Sequence, residues 1–155
     1  MTVMKEIQLP VSVRWRGGLV ARADGRDKKP LELATPPKYE TGPPGYWSPE
    51  DLLVVSAASG FVLALTAIAD WRDAPLLEAT VSATGHLSHR DDGRFGFTVI
   101  EINAELETIP GGEAKIEAAA KAAEQRCLIA NALDVPVHVA VSVKTRSEAA
   151  ALVAS

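Results

Sequence analysis

Cysteine and aromatic residues are scarce in this chain of 155 residues. It contains one cysteine, Cys127, and aromatic side chains make up 5% of it. A single thiol excludes a disulfide within the chain and gives no sign of an oxidising compartment. The formal net charge is −4 and no basic run is longer than Lys28-Lys29, which argues against nucleic acid or a membrane as partner. The first residues contain no apolar segment typical of a secretory signal, so we expect a cytoplasmic protein.

The composition is that of a folded domain. Hydrophobic residues make up 47% of the chain and charged residues 23%, which suits a chain with a substantial core. No internal repeat or shift in composition divides the sequence. We therefore expect a single domain over residues 1–145, followed by a C-terminal tail over residues 146–155 that is either helical or disordered.

The longest apolar segment runs from Leu52 to Ala69, 18 residues without a charge. That length is the lower limit for crossing a bilayer. Small and polar residues reduce its hydrophobicity and no cation anchors its ends, so a buried core helix is expected instead. A helix that is apolar on every side has to be enclosed by protein. Because a chain of this size has little material to enclose it, the segment predicts a homodimer.

The pattern of apolar residues predicts strands and helices in a mixed order. Residues 5–16 alternate as a half-buried strand does, and Gly17-Gly18 predicts a turn after it. Further strands are predicted at residues 19–23, 31–35, 79–90, 95–108 and 137–143, and helices at residues 48–71 and 113–131. A change of phase between Val99 and Ile100 indicates a bulge. The order βββ–α–ββ–α–β indicates an α+β fold with long antiparallel strands.

Two segments carry a resemblance to a known family. The run Ser48-Pro49-Glu50-Asp51-Leu52-Leu53, continued to Ser59-Gly60-Phe61, resembles the first signature of the OsmC/Ohr family, named for osmotically inducible protein C and organic hydroperoxide resistance. The run Ala123-Glu124-Gln125-Arg126-Cys127-Leu128-Ile129 resembles its second signature. The resemblance spans roughly residues 5–144. It implies two long central helices wrapped by antiparallel sheets, in an intertwined homodimer with its sites at the subunit interface.

The same resemblance implies a thiol-dependent peroxidase chemistry. Such chemistry needs an attacking thiolate, a cation that lowers its pKa, and a second thiol that resolves the sulfenic acid. By resemblance, Cys127 matches the resolving cysteine and Glu50 the glutamate that holds an arginine, whereas Gly60 occupies the attacking position. The arginine is matched either by Arg16 or by Lys38, and lysine is a poor replacement for a bidentate guanidinium.

Each of these residues also has a structural interpretation. Cys127 on a buried helix face can be a small inert hydrophobe. Glu50 can be a charge at a helix N-terminus, and Arg16 a solvated charge on a strand. Gly60 is harder to explain in this way, because glycine inside a helix costs about 1 kcal/mol relative to alanine. It indicates either the close approach of another backbone or an open pocket.

The histidines give no sign of a metal site. His86 and His89 lie three residues apart on a predicted strand and therefore on opposite faces, and His138 stands alone. The glycine pairs also lack the spacing of phosphate-binding loops. We expect neither a metal nor another cofactor.

Three functional hypotheses follow. The first is a non-peroxidatic OsmC-like protein whose interfacial pocket binds an apolar or acyl ligand. The second is a one-cysteine thiol peroxidase that reduces a hydroperoxide through Cys127 with the help of an external thiol. The third is a dimeric interaction module without catalysis. The candidate catalytic residues are Cys127, Glu50 and Arg16, and the candidate ligand contacts are Gly60, Phe61 and Lys38.

Overall fold

The computed structural model describes residues 6–36 and 42–147. Lys38 and residues 148–155 of the predicted tail lie outside these residues. The chain forms two compact units, divided between Leu52 and Leu53, and the prediction of a single domain stays a prediction. The α+β class is confirmed. The elements in chain order are β1 (Val11–Gly17), β2 (Val20–Gly25), β3 (Leu31–Ala34), α1 (Pro49–Trp71), β4 (Leu76–His89), β5 (Phe95–Thr108), α2 (Glu113–Arg126), α3 (Leu128–Ala132) and β6 (Val137–Thr145).

The N-terminal unit contains an antiparallel sheet in the order β1-β2-β3. Its first strand begins at Val11, later than the predicted residue 5. The reason is that Pro10 has no N–H to give to a sheet, and that Val11 already pairs with Gly25 at the end of β2. The strand is also more exposed than the predicted half-buried pattern. Val11, Val13 and Trp15 are 62–74% exposed.

Helix α1 begins where the sequence predicts. The chain returns to the small sheet at Trp47, whose carbonyl accepts a hydrogen bond from Ala34 N–H at 3.0 Å. Ser48 and Asp51 then form a reciprocal cap. Asp51 N–H donates to Ser48 Oγ at 3.0 Å, and Ser48 N–H donates to Asp51 Oδ2 at 3.0 Å. These bonds satisfy amide groups that the first helical turn leaves free.

The core of the C-terminal unit is built on one side of α1. Ala57, Phe61, Leu65 and Ile68 recur at helical spacing and are buried. They belong to one apolar cluster with residues of β5 and α2, including Ile100, Ile102, Leu106, Ile116 and Ala123. The other side of the helix is apolar as well but exposed, with Leu63 at 67% and Trp71 at 73%. Length and composition would let α1 cross a membrane, yet one side of it lies in this core.

The second sheet has the order β4-β5-β6. Its hairpin turn contains Gly93 with a φ of 81°, and the side-chain hydrogen bond from Arg94 holds the pKa of Asp92 below its usual range. The pairing shifts so that Thr98 is an extra residue on β5, next to the predicted change of phase. Strands β4 and β5 form the predicted long antiparallel pair, and β6 departs from the antiparallel pattern by pairing parallel with β5. A helical crossover joins these two strands, and such a connection suits parallel pairing.

The second predicted helix is interrupted. Residues 113–131 were expected to form one helix, but α2 ends at Arg126 and α3 begins at Leu128. Between them Cys127 has φ −64° and ψ 109°, an extended conformation. The lone cysteine is therefore the joint between two helices rather than a residue on one helix face.

Candidate functional site

The structure brings Gly60 and Cys127 together. A β-carbon added at Gly60 would lie 3.1 Å from Cys127 Sγ and 3.3 Å from Ile129 Cγ1. Cys127 is 2% exposed, so its thiol is packed against α1. The glycine therefore permits a close approach of the α2–α3 joint to the middle of α1.

The 3.1 Å separation is the one that a disulfide requires. With an S–S bond of about 2.05 Å and ordinary bond angles, the β-carbon of one cysteine lies about 3.0 Å from the sulfur of the other. A β-carbon at position 60 would be 3.1 Å from Cys127 Sγ. Positions 60 and 127 therefore meet this distance requirement of a disulfide, whereas the first sulfur is missing.

The break between α2 and α3 explains how Cys127 and Ile129 both contact position 60. Residues two apart on a continuous helix point to different faces. The extended backbone of Cys127 redirects the chain, so that both side chains lie within 3.3 Å of the β-carbon position of Gly60. Nothing in the helical periodicity of the sequence signals this break, and Ile129 was missed for that reason.

A cavity of about 230 Å³ borders the buried thiol. Its size is more than that of an engineered cavity of about 150 Å³ that holds benzene. The lining combines apolar residues, of which Phe61 and Ile102 are each 1% exposed, with the polar residues Glu124 and Asn131. The principal lining residues are Phe61, Ile102, Glu124, Cys127, Asn131, Val137 and Val139.

This cavity contains two of the predicted pocket residues, Phe61 and Cys127. Gly60 contacts Cys127 but is not part of the lining. The sequence analysis missed the polar lining residue Glu124. Its position three residues before Cys127 on a predicted helix could have indicated it, because residues three apart lie on the same helix face. It also missed Val137 and Val139, since a strand's alternation does not say which cavity its apolar face borders.

Glu50 belongs to the N-terminal unit, where it lines a cleft of about 420 Å³. Its Oε2 atom is buried and has no hydrogen-bond partner among residues 6–36 and 42–147. Arg16 lies on exposed β1 and forms no ion pair within the same described ranges. The cation predicted for Glu50 therefore stays a prediction, with Lys38 outside the described residues.

The acidic and imidazole groups of the described chain do not gather into a metal site. No group of three or more His, Cys, Asp and Glu side chains is suitably placed within residues 6–36 and 42–147. His86 instead pairs with Glu101 across β4 and β5, at 2.8 Å between Nε2 and Oε2.

The α+β fold, in which position 60 of α1 faces Cys127, is that of an OsmC-like protein. The family model described as OsmC-like protein matches residues 42–142, about two thirds of the chain. The chain belongs to this OsmC-like family. No curated protein is similar enough to match.

Solved structures show the same fold. An OsmC-like protein of unknown function from Vibrio cholerae O1 biovar eltor superposes with a TM-score of 0.80 at 16% identity, covering 88% of this chain and 100% of that one. An OsmC-like protein from Mycoplasma pneumoniae superposes with a TM-score of 0.77 at 19% identity, covering 90% of this chain and 99% of that one. An organic hydroperoxide resistance protein from Elizabethkingia anophelis, with thiocyanate bound, superposes with a TM-score of 0.71 at 21% identity. The match covers 93% of this chain and 100% of that one.

Proposed function

We propose that this chain is a homodimeric OsmC-like protein without two-cysteine peroxidase activity, which binds an apolar or acyl ligand in the pocket beside Cys127. Its family is related to the oxidative-stress response, since the structural relatives include organic hydroperoxide resistance proteins. The proposal concerns what this member does within that family. We place its action in the cytoplasm.

The observation that carries the proposal is the contact between Gly60 and Cys127. In a two-cysteine reaction one thiolate attacks the peroxide, releases an alcohol and becomes a sulfenic acid. The second thiol then displaces water to form the disulfide. Here Cys127, which carries the remaining sulfur, is 2% exposed, and a glycine stands at the position of its partner. A single chain can therefore not complete the cycle.

The cavity beside Cys127 supports the binding part of the proposal. Its apolar lining residues, Phe61, Ile102, Val137 and Val139, suit contact with a small hydrocarbon group. An acyl ligand would also need a cation for its carboxylate, and Arg16 and Lys38 stay the candidates. A thermal-shift series with fatty acids and aromatic acids, together with native mass spectrometry of protein purified from cells, tests this part.

The exposed side of α1 supports a homodimer. Leu63 and Trp71 are 67% and 73% exposed, and apolar surface of this kind on one helix is typical of a subunit interface. In the N-terminal unit, β1 also exposes its apolar side chains. A second copy of the chain is the partner we propose for these surfaces.

One observation favours a second candidate, the one-cysteine thiol peroxidase. Cys127 itself lines the cavity, so a hydroperoxide held there would lie beside a thiol. An external thiol would then have to reduce the sulfenic acid.

A peroxide assay separates the candidates. We expect the natural protein to reduce cumene hydroperoxide no faster than buffer containing a dithiol reductant. Turnover that disappears in Cys127→Ser would instead identify the one-cysteine enzyme. If there is neither turnover nor stabilisation by any small acid, the interaction module without catalysis becomes the better account.

A further inference from the structure

A cavity of about 460 Å³ lies at one end of the second sheet. It is bordered by the hairpin that joins β4 to β5 and by the segment between α3 and β6. A volume of this size is typical of small-molecule sites and exceeds that of a cavity of about 150 Å³ that holds benzene. All of its lining residues belong to the C-terminal unit, and it shares none of them with the cavity beside Cys127.

The bulge at the start of β5 forms one wall of this cavity. Phe97 and Thr98 both line it, although consecutive residues of a regular strand point to opposite faces. The extra residue Thr98 breaks that alternation, and bulges that redirect side chains in this way are frequent next to active sites. Together with Phe97, the side chains of Val135 and Pro136 make this part of the lining apolar.

The charged part of the lining includes Arg90. Within residues 6–36 and 42–147 its guanidinium donates one hydrogen bond, from Nη2 to Asp134 Oδ2 at 3.3 Å. A guanidinium has five N–H donors, so most of those of Arg90 are unused. The side chain of Arg90 is 32% exposed and that of Asp134 is 98% exposed. The cation is therefore partly shielded by the fold, whereas the carboxylate that it contacts is in solvent.

Two further carboxylates line the cavity. Asp92 is paired with Arg94, whose Nε and Nη2 donate to Asp92 Oδ2 at 3.0 and 2.7 Å. Asp91 forms no ion pair with any residue in the described part of the chain. The cavity thus offers unused donors on Arg90 and an unused acceptor on Asp91, beside an apolar wall.

From this combination we infer that the cavity binds a small apolar amino acid in its zwitterionic form. The ligand carboxylate accepts hydrogen bonds from Arg90, and the ligand ammonium donates to Asp91. Both are charge-assisted hydrogen bonds, which are stronger than neutral ones. The ligand side chain is buried against Phe97 and Val135. An apolar acid without the ammonium leaves Asp91 without a partner, and an amine without the carboxylate leaves Arg90 without one, so the site selects for both charges together.

This inference goes beyond the proposed function and is independent of it. The peroxide chemistry and the apolar or acyl ligand concern Cys127 and its cavity, whereas the amino-acid site uses the β4–β5 hairpin and the segment before β6. Failure of one leaves the other unaffected.

Three probes with the same phenylethyl group test the inference on the intact natural protein: L-phenylalanine, 2-phenylethylamine and 3-phenylpropanoate. At neutral pH the first carries both charges, the second only the ammonium and the third only the carboxylate. In an amide chemical-shift titration we expect phenylalanine to move the signals of His89, Phe97 and Val135. We expect it to bind at least about tenfold more tightly than either analogue, because one hydrogen bond to a charged group contributes that much.

Two variants assign the two charges. Arg90→Gln should weaken phenylalanine binding about tenfold, to the level of 2-phenylethylamine, and Asp91→Asn should weaken it about tenfold, to the level of 3-phenylpropanoate. Arg146→Gln is the matched control. Arg146 also pairs with carboxylates, those of Glu78 and Glu107, but it does not line the cavity, so phenylalanine binding should not change. If a variant does not fold, the comparison of the three probes on the natural protein still decides.

Several results would overturn the inference. Binding of 2-phenylethylamine as tight as that of phenylalanine would make this a site for cations, and equally tight binding of 3-phenylpropanoate would make it a site for anions. Shifts at Ile102 and Val139 instead of the hairpin would move the binding to the cavity beside Cys127. Absence of any phenylalanine-induced shift at millimolar concentration would also contradict it.

Discussion

The presence of a glycine at position 60, in the middle of α1, is explained by the side chains of Cys127 and Ile129 that pack against it. The residue is inside a regular helix, where glycine costs about 1 kcal/mol relative to alanine, and it has no unusual backbone angle to justify that cost. Its neighbours do justify it. A β-carbon there would lie 3.1 Å from Cys127 Sγ and 3.3 Å from Ile129 Cγ1, closer than ordinary van der Waals contact.

The first prediction tests this contact by a double-mutant cycle. Gly60→Ala in the natural protein gains helix propensity but crowds the Cys127 sulfur. In a Cys127→Ala background the sulfur is gone, so the same substitution should be more stabilising. We expect a coupling free energy of at least about 0.5 kcal/mol, as for residues in direct contact. Urea unfolding of the four proteins measures it, and strictly additive effects would contradict the contact.

At the scale of elements, the start of α1 rests on the reciprocal cap of Ser48 and Asp51. The second prediction is that Ser48→Ala lowers the free energy of unfolding by about 1 kcal/mol, since it removes the acceptor for Asp51 N–H. Ser59→Ala is the control, because Ser59 Oγ donates to carbonyls of its own helix, those of Val55 and Ser56. It should have little effect. Equal losses in the two variants would mean that the cap is not what fixes the helix start.

The third prediction concerns the packing of α1 on the second sheet. A β-carbon at Gly85 of β4 would lie 2.6 Å from both Val54 Cγ2 and Phe97 Cε1. Gly85→Ala should therefore destabilise the protein by about 1–3 kcal/mol through overpacking. Gly96→Ala on the neighbouring strand is the control, because its nearest neighbour is Arg90 Cδ at 3.6 Å. Thermal unfolding that ranks these two variants in the opposite order would refute the packing argument.

The sequence predicted most elements because their signals are local. Ser48 and Pro49 mark the start of α1, and alternation marks β4, β5 and β6. The features that the sequence did not predict have non-local causes. The direction of β6 depends on the helical crossover before it, and the break at Cys127 depends on α1 at Gly60. The direction of β6 and the break at Cys127 therefore could not be predicted from the apolar periodicity of their own segments.

The candidate site was predictable to a similar extent. The facing of Gly60 and Cys127 followed from two family signatures, which fix the frame of both helices. The composition of the cavity did not follow, because Ile102, Val137 and Val139 come from strands whose side chains meet Phe61 only in the folded unit. The residues that line the cleft around Glu50 within the N-terminal unit were equally beyond what its helix-start motif could indicate.

At the scale of the whole molecule, the fourth prediction is that the protein is a stable homodimer. The apolar outer side of α1, including Leu63, needs a cover that a second copy would supply. Light scattering over a dilution series should give the dimer mass at micromolar concentration. Leu63→Glu should shift it to the monomer, whereas Ser82→Glu at an exposed position of β4 should not. A compact monomer of the natural protein would contradict the prediction.

The central claim is that positions 60 and 127 still face each other as in a two-cysteine site, whereas the sulfur at position 60 is missing. The fifth and most direct test is disulfide formation in Gly60→Cys after addition of one equivalent of cumene hydroperoxide. The peroxide should be reduced to the alcohol and water while positions 60 and 127 join within one chain, because the β-carbon distance of 3.1 Å suits the bond. Intact-mass measurement should show the loss of the two thiol hydrogens in this variant and no such change in the natural protein. Thiols that stay free in Gly60→Cys, or a disulfide that joins two chains, would contradict the account.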